Sequence, residues 1–355
     1  LPRIGIESDF TKEKFSTQKM AAPTGVDPAM WAALLRWSMK CQADGDGTAP
    51  TDFKKMSKED RDFLEEVMKE GIVDHVKRSA EIVDELKNKC ISPISEGNPL
   101  TDEACEELEI MMEELQDIVE QIDFAKALVQ IGGMPPLIEM ANETNVPEIL
   151  RMYALAIIAT TAQNNPYAQD ALLGMGALPI FVALLAPQEG EAAVTPSSKL
   201  RQKALYATSC LVRSHARAEA SFCVDLGGFG ILMTIISAGK QPDGNTQLER
   251  RATFLTNALF SSVPDVCLDG TWEPMTEALV SQLESASDVD LREQTVNALL
   301  GLAHRGFKAP LLERFGERIN GFVSNCRQGA VDDDEEKSGN AAAELRLWEE
   351  FLSCV

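Results

Sequence analysis

Two short phrases recur down the middle of this chain, and they constrain its fold more than anything else in it. Gly132-Gly133-Met134-Pro135-Pro136-Leu137-Ile138 returns as Gly176-Ala177-Leu178-Pro179-Ile180-Phe181-Val182, and again as Gly227-Gly228-Phe229-Gly230-Ile231-Leu232. Between these copies lies a second phrase: LRMYALAIIATTAQ from Leu150, LRQKALYATSCLVR from Leu200, LERRATFLTNALF from Leu248 and LREQTVNALLGLAH from Leu291. Successive copies are 43 to 51 residues apart. A period of roughly 40–47 residues is that of armadillo and HEAT units. Each unit makes physical sense. Gly ends one helix in a left-handed turn, and Pro opens the next where no helical N–H bond is lost. An Ala-rich helix then packs closely on its neighbours. One such unit cannot bury its own apolar face, so the units must stack. The expected fold is all-α: an armadillo-like right-handed helical solenoid with an N-terminal helical extension and a C-terminal capping helix.

The flanking text sets the ends. Residues 27–40, DPAMWAALLRWSMK, begin with Asp and Pro in helix-start order. The following ADGDGTAP lacks the calcium-loop register, which would need Gly and Glu where Ala49 and Lys55 stand. Ser57 opens another helix, with Phe63, Leu64, Val67 and Met68 on its apolar side, and the pattern resumes at Ile82, Val83 and Leu86. SPISEGNPL (92–100) reads as a loop, and Thr101 opens an acid-headed helical run. After Gly329, AVDDDEEKSGN reads as a disordered acidic linker. The last helix then carries Leu345, Trp348, Phe351 and Leu352 on one stripe. Because the chain does not begin with Met and Met20 is a candidate start, 1–19 are expected to lie outside the mature fold. The remaining divisions are 20–50, N-terminal helices 51–100, the repeat array 101–329, the linker 330–340 and the capping helix 341–355.

Composition narrows the function. The chain has 56 acidic and 33 basic residues, a net charge of −23. That field disfavours nucleic acid and anionic membrane, and suits a basic partner or one with exposed amides. Eight scattered cysteines form no C-x-x-C pair and read as free thiols of a reducing compartment. Three histidines without paired neighbours predict no metal, and no cofactor motif is present. Cys210 and His215 lie five apart around a helix end with nothing to orient a third group. No signal-peptide core or membrane-length apolar run is seen. The expectation is a cytoplasmic, monomeric protein-binding module, not an enzyme.

The segments LLRWSM, KMSKEDRDFLEEVM, QIGGMPPL, IIATTAQNNPYAQDALLGMGALP, LRQKALYATSCLVR, RATFLTNALF and ELRLWEEFLSCV occur in that order over residues 34–355. This series resembles the armadillo-type nucleotide exchange factors of the seventy-kilodalton heat-shock chaperones, the cytosolic heat-shock-protein-binding protein family. The resemblance implies a co-chaperone whose helical body embraces one lobe of the chaperone's nucleotide-binding domain. It thereby accelerates ADP release and promotes client release. It also implies that 20–50 are a flexible release segment, with Trp31, Leu34, Leu35, Trp37 and Met39 competing at the client site. The alternative for that stripe is an amphipathic helix docked on the first repeat. The alternative for the whole chain is an armadillo adaptor with a different protein partner. An import receptor is disfavoured, since its Trp and Asn ladder positions hold Tyr206, Cys210 or Ala. The secretory-pathway factor of similar fold is disfavoured by the FLSCV terminus.

In armadillo solenoids the last helix of each unit lines the groove. Helical spacing nominates Met152, Gln163, Asn164 and Asn165, then Gln202, Tyr206 and Arg213, then Arg250, Phe254 and Asn257, then Glu293 and Asn297. Amide, aromatic and basic groups in a row suit an interface. Each has a plainer reading. Tyr206 and Phe254 also fit the core, Arg213 and Arg250 also fit solvated helix ends, and Asn164-Asn165 also fit a turn before Pro166. Arg151 and Arg201 are expected to pair with acidic neighbours.

Overall fold

The computed structural model describes residues 74–185, 196–238, 246–331 and 334–354. Apart from Asp74, these belong to the second of two compact units, His75–Val355. Trp31, Leu34, Leu35, Trp37, the helix opened by Ser57 and the boundaries at 19 and 50 lie outside the described residues.

Every regular element among the described residues is helical. The order is α1 (His75–Leu86), α2 (Asp102–Val119), α3 (Ile122–Gln130), α4 (Met134–Asn142), α5 (Glu148–Ala162), α6 (Pro166–Gly174), α7 (Ala177–Leu185) and α8 (Ser198–Val212). Then come α9 (Ala216–Ala220), α10 (Gly228–Ala238), α11 (Thr246–Ser262), α12 (Trp272–Ser285), α13 (Val289–Leu302), α14 (Lys308–Gly329) and α15 (Glu335–Ser353). Triplets α3–α5, α6–α8 and α9–α11 are successive units. In the next, a 3-10 turn, Asp265–Cys267, replaces the first helix before α12 and α13.

The glycines of the first phrase hold the corner between the first and second helix of each unit. Gly132 and Gly176 have φ of 79° and 73°, in the left-handed region that only Gly enters without strain. The helices bend there by 82° at α6–α7, and by 71° where α9 with its π-helical continuation meets α10. Gly270 takes the same conformation (φ 74°) before α12, so the corner persists in a unit whose sequence no longer shows the phrase, and Gly306 (φ 87°) turns the chain between α13 and α14. The third helices α2, α5, α8, α11, α13 and α15 pack side by side in that order. Leu155, Ile158 and Ala162 of α5 are fully buried between layers, as are Leu205 and Leu211 of α8.

The Leu-Arg pair that opens the second phrase has a structural role different from the one expected. Arg151 Nε donates to Ala141 O at 3.1 Å, Arg201 Nη2 to Leu185 O at 3.1 Å and Arg292 Nη1 to Leu283 O at 2.6 Å. Each acceptor lies at or next to the C-terminal end of its unit's second helix, where carbonyls have no partner in their own helix. For Arg151 and Arg201 the partners are therefore carbonyls and not acidic side chains. A buried Gln169 on α6 does the same for α8, donating to Cys210 O, Leu211 O and Arg213 O at 2.9, 3.2 and 3.0 Å.

Two boundaries differ from the sequence reading. The chain stays helical through Ser92–Ser95, because a π-helical turn, Lys87–Ile91, widens the helix just before Pro93, which has no N–H to donate. The stretch 330–340 is also helical from Glu335. The Asp334 carboxylate accepts from Glu336 N and Lys337 N at 3.1 and 3.2 Å, and Glu335 and Glu336 occupy the favourable first turn of α15. Packed on α13 as a further third helix, α15 buries Trp348 completely, 6.0 Å from the Phe322 ring and 5.7 Å from Phe351. Arg292 pairs with buried Glu344 at 2.8 Å, and Glu344 also accepts from Trp348 Nε1 at 3.2 Å.

Replacing Trp348 by Ala is expected to cost about 3–5 kcal/mol, the usual loss for a buried large aromatic. Gln169→Ala should cost about 1–3 kcal/mol, because three buried carbonyls lose their donor. Urea denaturation of the two variants against the parent measures both.

Candidate partner-binding groove

Because α5, α8, α11 and α13 carry the same phrase, opened by Leu-Arg or, in α11, by Leu248-Glu249, equal offsets from that phrase fall in line across them. Six residues after Leu200 and Leu248 stand Tyr206 and Phe254. Tyr206 Oη donates to Gln163 Oε1 on α5 at 3.3 Å, and the Arg251 guanidinium lies 5.0 Å over the Tyr206 ring. Arg213, just past α8, lies 4.9 Å over the Phe254 ring on α11. Gln163, Tyr206, Arg213 and Phe254 are thus joined in one ladder across α5, α8 and α11. Phe254 is 41% exposed, so it is a surface aromatic and not core. Tyr206 is half-buried, and burial pushes its phenol up to about 12.

The other nominated residues divide. Gln163 and Asn164 are exposed, and Met152, Gln202, Asn257, Glu293 and Asn297 are half-buried on the same helices or their ends. Asn165 is a correction: it is 1% exposed, its carbonyl oxygen caps α6 at Ala168 N and its amide donates to Thr161 O at 3.0 Å, so no partner can reach it. Arg250 is engaged as well. Its Nε donates to Asp288 Oδ1 at 2.9 Å, and Asp288 in turn caps α13 at Leu291 N. It is a strut between α11 and α13.

Helical spacing does not nominate Tyr153, Lys203 or Arg251, which stand one position beyond Met152, Gln202 and Arg250. The same periodicity marks them as a parallel column. Tyr153 Oη donates to Glu113 Oε1 on α2 at 2.5 Å, extending the ladder by one helix. Burial, and then the neighbouring Arg251, hold the Lys203 ammonium below its ordinary range.

Cys210 lies behind the ladder. Burial raises its thiol to about 11 even though Tyr206, Arg213 and Arg251 pull it down, so at neutral pH it is not a thiolate nucleophile. His215 serves elsewhere: its Nδ1 accepts from Ala218 N at 3.2 Å to cap α9, and its Nε2 lies 3.1 Å from Asp170 Oδ1. Among the described residues no group of three metal-ligating side chains converges, and no single helix is long and apolar enough to cross a membrane.

A stacked array of such three-helix units is an armadillo-like fold, and comparison with known proteins narrows it further. Residues 32–128 match the family "Nucleotide exchange factor Fes1", and residues 124–264 match "SIL1/FES1/HPBP1 C-terminal domain". The chain is 31% identical over 216 residues to Hsp70-binding protein 1 of Rattus norvegicus, covering 59% of this chain and 55% of that protein. It is 27% identical over 272 residues to Hsp70 nucleotide exchange factor FES1 of Scheffersomyces stipitis, covering 76% and 85%. The chain spans about half the length of the Hsp70-binding protein 1 relatives. In fold, it matches a designed armadillo repeat protein with a TM-score of 0.53 at 18% identity, over 76% of this chain and 99% of that one. The protein is therefore an all-α, armadillo-like chain whose residues 32–264 match the Fes1 and SIL1/FES1/HPBP1 C-terminal domain families.

The Arg250–Asp288 strut makes a pH prediction. Hydrogen bonding from Arg250 is the main cause holding the Asp288 carboxyl below its ordinary range, with partial burial opposing it. A carboxylate depressed in the folded state stabilises fully above its unfolded pKa, about 3.9, and loses that contribution as pH falls through the folded value. Asp288→Asn should therefore be less stable than the parent at pH 7, and the gap should be smaller at about pH 3, below the unfolded pKa. Urea midpoints at the two pH values measure it.

Proposed function

We propose that this protein is a nucleotide exchange factor that binds the nucleotide-binding domain of a seventy-kilodalton heat-shock chaperone and accelerates ADP release. The reading is carried by one coincidence. The two family domains run from 32 to 264, through the residues that build the Gln163–Tyr206–Arg251 and Arg213–Phe254 ladder. The chemistry is non-covalent. A rigid third-helix face that fits the open form of the domain better than the closed, ADP-bound form shifts the population towards open. By linkage, ADP must weaken the factor by the same ratio as the factor weakens ADP, and a hundredfold effect corresponds to about 2.7 kcal/mol. No bond is made or broken, so no acid, base or nucleophile is required.

The protein works as a cytoplasmic monomer in this reading. All seven described cysteines are free thiols, which suits a reducing compartment. Residues 20–50 act as the client-release segment, with Trp31, Leu34, Leu35 and Trp37 as its apolar anchors.

The test is a chaperone loaded with fluorescent ADP and chased with ATP. The protein should speed release many-fold, and a folded Tyr206→Ala, Arg213→Ala double variant should need at least tenfold more protein for the same rate. Unchanged release with a folded protein and a chaperone that responds to a control factor would instead favour the adaptor reading. A chain beginning at Thr51 should keep the ADP effect and lose the acceleration of client release, measured with a labelled client peptide.

A further inference from the structure

The groove-side ladder has a charge character opposite to that of the chain, whose net charge is −23. Several other arginines are taken up by carboxylates, Arg292 by Glu344, Arg318 by Glu277 and Glu284 and Arg250 by Asp288, and Arg151 and Arg201 by backbone carbonyls. Arg213 and Arg251 differ. Among the described residues neither pairs with a carboxylate, and both guanidiniums lie over aromatic rings, at 4.9 Å from Phe254 and 5.0 Å from Tyr206. A guanidinium stacked on a ring face keeps its N–H fork available at its edge, and that fork matches a carboxylate with two parallel bonds. Stacking also orders a long side chain in advance, which lowers the entropy lost on binding. Lys203 adds a third positive charge within the field of Arg251.

We propose that Arg213 and Arg251 form a carboxylate-reading site, which takes an acidic segment of the protein partner while exposed Phe254 receives an apolar side chain beside it. This rests on reading the third-helix face as the partner-binding face, and it reverses the expectation of a basic partner drawn from net charge. The reversal is physical. The Debye length in physiological salt is about 8 Å, so distant carboxylates are screened while the two guanidiniums act at contact. A nucleic acid is a poorer occupant, because about one phosphate per 1.7 Å of duplex would meet the whole acidic surface at once.

The experiment has two arms, both with the full chain. In the first, fluorescence anisotropy follows a labelled dodecapeptide of alternating glutamate and leucine pairs, beside the same peptide with glutamine for glutamate. The glutamate peptide should bind at least tenfold more tightly than its glutamine counterpart. Arg213→Gln with Arg251→Gln should abolish that preference, and Arg213→Lys with Arg251→Lys should restore part of it. Thermal melting of each variant shows that the fold is kept. In the second arm the same variants are titrated with the chaperone's nucleotide-binding domain, where the glutamine pair should bind at least tenfold more weakly and with a flatter salt dependence. Equal binding of the two peptides, no binding at millimolar concentration, or a glutamine pair that still prefers glutamate would overturn the site. So would a phosphoserine peptide that binds far more tightly and is lost in the same variant, since the site would then read phosphate. If the peptide arm holds and the chaperone domain is not bound, the carboxylate site stands and the exchange-factor reading falls. If the chaperone domain binds and the peptide arm fails, the reverse follows.

Discussion

A solenoid of short helices multiplies helix ends, and each end leaves carbonyls without a partner in their own helix. In a globular fold most of these face water. Here the third helix of one unit covers the second helix's end, so carbonyls are buried wherever units meet. The structure depends on side chains that reach those carbonyls. Arg151, Arg201 and Arg292 serve the second helices, Gln169 serves α8, Arg305 serves α11 through Phe260 O and Val263 O, and Lys308 serves α15 through Leu352 O at 2.7 Å. Charged donors make the stronger bonds, which suits sites where an unmet carbonyl would cost about 1–3 kcal/mol. These polar contacts also fix each helix at one height relative to the next, which greasy packing alone does poorly.

That fixed height is what makes a groove-side ladder possible. If α8 slid against α11 by one residue, Arg213 would leave the Phe254 ring and Arg251 would leave Tyr206. The end-capping residues lie behind the ladder, and one of them is tied directly to it. Gln169 holds the carbonyl of Arg213, whose guanidinium stacks on Phe254. The proposed binding face is therefore preorganised by the same contacts that stabilise the array, so less ordering remains to be done when a partner arrives.

The repeat was legible because its signals are local. A left-handed corner needs Gly, and Gly132, Gly176 and Gly227 announce it. Gly270 makes the same corner with neighbours that have drifted, so only its backbone shows it. Helical spacing was enough to bring Gln163, Tyr206, Arg213 and Phe254 together across neighbouring helices, where Tyr206 meets Gln163 and Arg213 meets Phe254. Arg251, over the Tyr206 ring, was not nominated, because the column one residue further on was passed over. Asn165 shows the opposite error. A short amide before Pro166 satisfies its own backbone first, and that local demand leaves nothing for a partner. The acidic stretch 330–340 was misread for a related reason. A run of Asp and Glu suggests a solvated linker, but with Asp at the cap and Glu in the first turn the same residues start a helix.

The contrast between the chain's charge and the groove's has a consequence for specificity. Long-range steering by a net charge of −23 would favour any basic surface, including many wrong ones. In the proposed site the two guanidiniums reverse the preference at contact, where binding energy is decided. A basic surface attracted from a distance then meets two unpaired cations and is rejected, whereas an acidic segment must approach against the far field but gains two charge-assisted bonds on arrival. Discrimination of that kind lowers the rate of association for the right partner and lengthens its stay relative to wrong ones. For the exchange factor proposed above, only the difference in affinity between the partner's two states does work. A contact-range site can be sensitive to such a difference, because a small lobe movement that takes a carboxylate out of bond distance removes most of its contribution.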